Sequence, residues 1–144
     1  MEGAGFFTAL RKYGQFHGRA RRSEFWWFVI IAESLILFAA TFAAIQLSPA
    51  YDDATNTFTM DDVGLLGWIF LGLTLALALV FIIPMLSVTV RRLHDTGASG
   101  AWLIFYLFLP IVVWIMALFD GTPGPNKYGP DPKGRPGAEV PAGI

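Results

Sequence analysis

From Val63 to Val90 the chain runs for 28 residues without a Lys, Arg, Asp or Glu. As one helix that run is about 42 Å long at about 1.5 Å per residue. It exceeds the roughly 30 Å hydrocarbon core of a bilayer and falls short of two crossings with a turn. It is therefore expected to be a single tilted span with its ends outside the hydrocarbon, bent at Pro84, because a membrane helix tolerates proline when neighbouring groups satisfy the freed carbonyl. Residues 25–32 and 101–119 are likewise uncharged. Only 15% of residues are charged, against roughly one quarter in an average globular chain, and mean hydropathy is +0.55. A soluble globular domain is excluded, and the expected class is an all-α integral membrane protein. At about 20 residues per crossing, 144 residues hold three or four spans and no second domain of ordinary size. The absence of cysteine rules out disulfides, thiolate metal sites and thiol nucleophiles.

Three transmembrane helices are expected, at about 25–47, 63–90 and 101–119, in one membrane domain over 1–133 followed by a flexible tail at 134–144. Within 3–17, Phe6, Phe7, Leu10, Tyr13 and Phe16 have near-helical spacing and predict a short amphipathic helix, lying in the headgroup layer or capping the protein's own helices. Ser23 is placed to cap the first span, Trp26 and Trp27 stand at an aromatic belt, and Ser48-Pro49 ends it. The charged and apolar regions at the N-terminus are both too long for a cleaved signal peptide. Thr59 with Asp62 has the form of a capping box for the second span. The third segment, with Pro110 near its middle, spans with a kink or is re-entrant. From Asp120 onward there are six Gly and six Pro in 25 residues, which predicts an irregular tail.

Lys and Arg favour the cytoplasmic side in short flanking loops. The first 24 residues carry Arg11, Lys12, Arg19, Arg21 and Arg22, the next basic loop carries Arg91 and Arg92, and the acidic loop between the spans carries none. The N-terminus is thus expected in the cytoplasm. Three spans then put the tail outside, against the sign of Lys127, Lys133 and Arg135; a re-entrant third segment removes the conflict.

If the helices pack antiparallel, Arg19, Arg21, Arg22, Arg91, Arg92 and His94 meet at one membrane face. Guanidinium forks suit phosphate and carboxylate, so this cluster is expected either to bind anionic lipid headgroups or a protein partner, or to clamp two segments through Glu24 and Asp95. A catalytic reading lacks geometry, since adjacent His94 and Asp95 point in different directions and an orienting carboxylate must reach the histidine's second nitrogen. Two histidines from different segments make a poor metal set, no cofactor is implied, and nucleic-acid binding does not fit the net charge of −1. Glu33 lies near mid-bilayer, where a charge costs on the order of 3 kcal/mol or more. It is expected to face inward, protonated or paired, to line a transport path, or to sit at a subunit interface. Small residues four apart (Ala39 with Ala43, Ala40 with Ala44, Gly72 with Ala76) permit close helix approach, and three helices enclose little interior, so a homo-oligomer is expected.

Three segments carry a family resemblance: Phe16-His17-Gly18-Arg19-Ala20-Arg21-Arg22-Ser23-Glu24-Phe25-Trp26, Arg91-Arg92-Leu93-His94-Asp95-Thr96-Gly97-Ala98-Ser99-Gly100-Ala101-Trp102, and Gly121 to Pro132. Together they resemble the bacterial inner-membrane family called domain of unknown function 805, from about residue 6 to 133. The resemblance implies a small multi-pass protein of the bacterial cytoplasmic membrane and brings no established activity or catalytic residues. If its signatures form one site, Arg19, Arg22, Arg91, Arg92, Asp95, Asn126, Tyr128 and Asp131 converge and the tail lies on the cytoplasmic side. The acidic loop at 50–62 is longer than in compact members, and Ala98 stands where a basic residue is frequent.

Overall fold

The structure, a computed structural model, describes residues 5–137. It is mainly helical: α1 (Phe6–Arg11), α2 (Arg22–Leu47), a two-stranded turn β1 (Tyr51–Asp52) and β2 (Thr57–Phe58), α3 (Leu65–Asp95), α4 (Ile104–Phe108) and α5 (Pro110–Leu118). Two helices, α2 and α3, are long and apolar enough to cross a membrane. The chain divides into two compact units, one holding residues up to Val29 and from Ile83 onward, the other Ile30–Ile82.

In the unit Ile30–Ile82, Ala39 and Ala43 are buried, so that small pair serves packing inside the chain, while Ala44, Gly72 and Ala76 are exposed. Phe42 stacks on Phe70 at 5.2 Å. Gly67 leaves room for its neighbours, since a Cβ there would meet Val63 Cγ1 at 2.9 Å. The expected capping box takes another form: the Thr59 hydroxyl donates to Asp62 across a separate 3-10 turn, Met60–Asp62, and α3 begins only at Leu65. Glu33 is exposed on α2, contrary to the expectation that it faces inward.

In the other unit, α2 starts at Arg22, so Ser23 lies inside the first turn instead of capping it. Phe6 of α1 stacks on Phe28 at 5.4 Å and Ala9 is fully buried, so α1 lies against the protein's own helix while Phe7 stays exposed. α3 continues through Pro84 to Asp95, five residues past the expected end.

The segment expected to form a third span is not one helix. Leu109 adopts φ −145°, ψ 69°, and Pro110 opens α5. Proline supplies no N–H to a preceding turn and turns its predecessor away from helical geometry. The nine residues of α5 are about 13 Å long. Both ends of the segment also meet the same place. It leaves α3 through Gly97 and Ala98, and on its return Arg92 donates to the carbonyls of Ala117 (3.2 Å) and Phe119 while Thr122 N–H donates to Asp95 O at 2.9 Å. The tail is held as far as Arg135, against the expectation of flexibility from 134; residues 138–144 of that expectation lie outside the described residues.

Candidate functional site

The last turn of α3 organises the site. A helix leaves its final carbonyls without intrahelical partners, and here every one of them is taken. Gly97, at φ +83°, allows the reversal in which Ala98 N–H reaches Leu93 O (3.0 Å) and Gly97 N–H reaches His94 O (3.1 Å), a glycine-dependent helix stop. Arg91 O accepts from Ala20 N–H at 3.0 Å, which draws in the chain ahead of α2. His94 O also accepts from Asn126 Nδ2 at 3.0 Å, and Asp95 O from Thr122, which draws in the tail.

Side chains of the same turn then join the three segments. Asp95 is a bridging carboxylate, one oxygen accepting from Arg19 Nε at 2.8 Å and the other from Arg92 Nη1. Arg19 further donates to Gly124 O (2.6 Å) and Thr122 O (2.5 Å) and lies 3.9 Å from Asp131. Arg92 also donates to Ala20 O at 3.3 Å. Arg91 pairs with Glu24, and its Nε and Nη2 have no hydrogen-bond partner among the described residues. The side chains of Arg19, Arg91, Arg92 and Asp95 are each 1% exposed. Buried ion pairs hold their partners strictly, because removing one member strands a charge at a cost of about 3–5 kcal/mol.

The sequence-predicted residues therefore separate. Arg19, Arg91, Arg92, Glu24, Asp95, Asn126 and Asp131 come together in the buried network. Tyr128 stacks on His94 with centroids 3.8 Å apart and planes at 6°. His94 is half-buried, and its Nδ1 is 3.2 Å from Gly18 O, which makes Nδ1 the protonated nitrogen of the neutral ring. Asp95 faces arginines and not His94, so the pair makes no dyad. Among the described residues, no three of His, Cys, Asp and Glu gather as a metal site. Burial corrects the headgroup assignment of Arg19, Arg91 and Arg92, because these guanidinium groups are closed off by the chain itself. Arg21 and Arg22 remain exposed, donating to Pro132 O (2.7 Å) and Leu118 O (3.1 Å). Glu33 is exposed on α2 and makes no hydrogen bond or ion pair with any described residue.

Sequence reasoning missed Asp120, Gly121, Lys133 and Arg135. Asp120 is bonded to Lys133 at 2.5 Å and Arg135 at 3.1 Å. The Lys133 hydrogen bond holds its carboxyl at about 2 despite some burial, with further help from the Gly121 N–H and Arg22. Burial pushes the Asp131 carboxyl up, but the Arg135 guanidinium, the Lys133 N–H and Arg19 outweigh it and leave it below its ordinary value. A Cβ at Gly121 would fall inside the Asp95 carboxylate. Glycine between Asp120 and Thr122 was the available signal. Ala98 lines an open groove of about 490 Å³ with Trp102, Phe119 and Asp120.

A protein family described as "Protein of unknown function (DUF805)" matches residues 13–130. The chain is similar to inner membrane protein YhaI of Escherichia coli K12, 34% identical over 132 residues covering 89% of this chain and 94% of that one. It is similar also to inner membrane protein YhaH of the same organism, 32% identical over 139 residues covering 91% and 98%. No solved structure matches.

Proposed function

Because the chain belongs to the DUF805 family, we propose that it is a non-enzymatic, two-span protein of the bacterial inner membrane whose clamped module faces the cytoplasm and rests on anionic lipid headgroups. The division of charge carries this reading. All ten Lys and Arg lie in the unit that contains the clamp, against six acids, Glu2, Glu24, Asp95, Asp120, Asp131 and Glu139. The unit Ile30–Ile82 has five acids and no Lys or Arg. Inside the clamp three guanidinium groups face three carboxylates and cancel. The excess, ten less six, is four positive charges, and it comes from the remaining residues: Arg11, Lys12, Arg21, Arg22, Lys127, Lys133 and Arg135 against Glu2, Asp120 and Glu139. Basic groups near an anionic leaflet contribute about 1 kcal/mol each, and a Lys/Arg excess marks the cytoplasmic side. With 100–119 re-entrant, both ends of the chain share that side and the basic tail no longer conflicts with the charge rule.

Lipid carried through purification of the full chain, measured by mass spectrometry, tests the reading. Replacing Arg21, Arg22 and Lys127 together with Gln is expected to leave the fold intact and lower the ratio of anionic to zwitterionic lipid severalfold. An unchanged ratio sinks the lipid assignment. A reporter fused at the C-terminus is expected to be active in the cytoplasm, and periplasmic activity overturns the two-span topology.

A further inference from the structure

Glu33 is an ionisable side chain exposed on the outside of a span. It stands about 16 Å from the start of α2 and about 21 Å from its end at about 1.5 Å per residue. Exposure there to hydrocarbon costs on the order of 3 kcal/mol or more. Its surroundings are ordered in sequence. Ile30, Leu37 and Ala44 recur every seven residues, as do Ser34, Thr41 and Ser48, and all six are exposed. At about 100° per residue Ile30, Ser34, Thr41, Ala44 and Glu33 lie within about 60° of Leu37, on the side of α2 opposite buried Ala32, Ala39 and Ala43, and Ser48 follows in the turn just after the helix. A seven-residue period is the period of a left-handed helix pair, and small hydroxyl residues allow close approach in lipid.

We propose that this face of α2 binds a second copy of the chain, with the two Glu33 carboxyl groups meeting across a twofold axis. Charge complementarity selects this occupant. The unit Ile30–Ile82 contains no Lys, Arg or His to pair with Glu33, whereas a carboxyl group in its acid form donates and accepts at once. A twofold contact sets each residue against the same surface of its partner, so the group is complementary to itself. Ser34 offers the adjacent hydroxyl.

The chain has no cysteine, so single cysteines report the contact directly. In native membranes under mild oxidation, Leu37→Cys is expected to form disulfide dimers. Leu35→Cys is expected to stay monomeric, although Leu35 is also exposed (43%, against 68% for Leu37). In the Leu37→Cys background, Glu33→Leu is expected to lower dimer yield about tenfold, the scale of one interhelical polar contact. Glu33→Gln, whose amide also donates and accepts, is expected to keep it within about twofold. Equal cross-linking at positions 35 and 37, absence of dimers, or insensitivity to Glu33→Leu each overturns the proposal. A cationic span of another protein is the occupant if Leu37→Cys is captured only in mixed disulfides, which also overturns it.

Discussion

Gly121→Ala adds one methyl group, and the structure assigns its whole effect to Asp95. Gly121 is absent from the positions with left-handed φ, so alanine brings no backbone strain there. The new Cβ would stand 2.7 Å from one carboxylate oxygen of Asp95 and nearer still to its Cγ and other oxygen. Restoring ordinary contact moves the carboxylate by more than an ångström, away from Arg19 and Arg92, or lifts residues 120–122 away and breaks the bond from Thr122 N–H to Asp95 O. Both routes disconnect buried charges, and the expected loss is about 3–5 kcal/mol. Against a typical stability of about 5–15 kcal/mol that is large. Thermal unfolding of the detergent-solubilised chain reports it, together with tryptic cleavage at Lys127 and Lys133, expected to rise at least a hundredfold since about 1.4 kcal/mol is tenfold in population. The cycle with Asp95→Ala is the sharper measurement. That variant alone also costs about 3–5 kcal/mol, but it removes what the methyl strikes, so adding Gly121→Ala is expected to cost under about 1 kcal/mol more. A Gly121→Ala loss below about 1 kcal/mol, or an equal loss in both backgrounds, refutes the assignment.

Arg92→Gln, which removes a buried guanidinium bonded to Asp95 and three carbonyls, is expected to destabilise by about 3–5 kcal/mol. Arg21→Gln, exposed and held by Pro132 O, is expected to cost under about 1 kcal/mol in the same thermal assay. Acid should release the tail. Asp120, at about 2, and Asp131 both titrate below their ordinary value when folded, so their contribution is fully present above the unfolded carboxyl value of about 3.9. It fades as pH falls through the folded values. Anisotropy of a fluorophore on Lys127→Cys should stay flat from pH 7 to about 5 and drop below about 4; a drop near pH 6 points to another group.

The two long helices were legible because hydropathy over twenty or more residues is a local property. So was the meeting of Arg19 and Arg92 with Asp95, and of Arg91 with Glu24, once antiparallel packing was assumed. Burial was not legible: an arginine run reads the same whether its partners are lipid phosphates or backbone carbonyls, and those carbonyls belong to Ala117, Phe119, Thr122 and Gly124, residues with no side-chain signal. The broken third segment was half visible. Pro110 announces an interruption, but the return to Arg92 depends on tail contacts that periodicity does not report. The exposure of Glu33 was not legible either, because a lone carboxyl group in an apolar run reads the same whether it faces the chain's own helices or another subunit.

The return of residues 117–124 to the end of α3 imposes an order on synthesis. Arg19 finds its acceptors Thr122 and Gly124 more than one hundred residues later, so it emerges long before they exist. Pairing of Ala20 with Arg91 shortens the gap still to be closed to the 27 residues between Asp95 and Thr122. Loop-closure entropy makes that about 1 kcal/mol easier than closing 103 residues at once. A ribosome that stops before residue 122 thus leaves a hairpin with the Arg19 guanidinium short of two acceptors, and the last stretch translated is the one that locks the first.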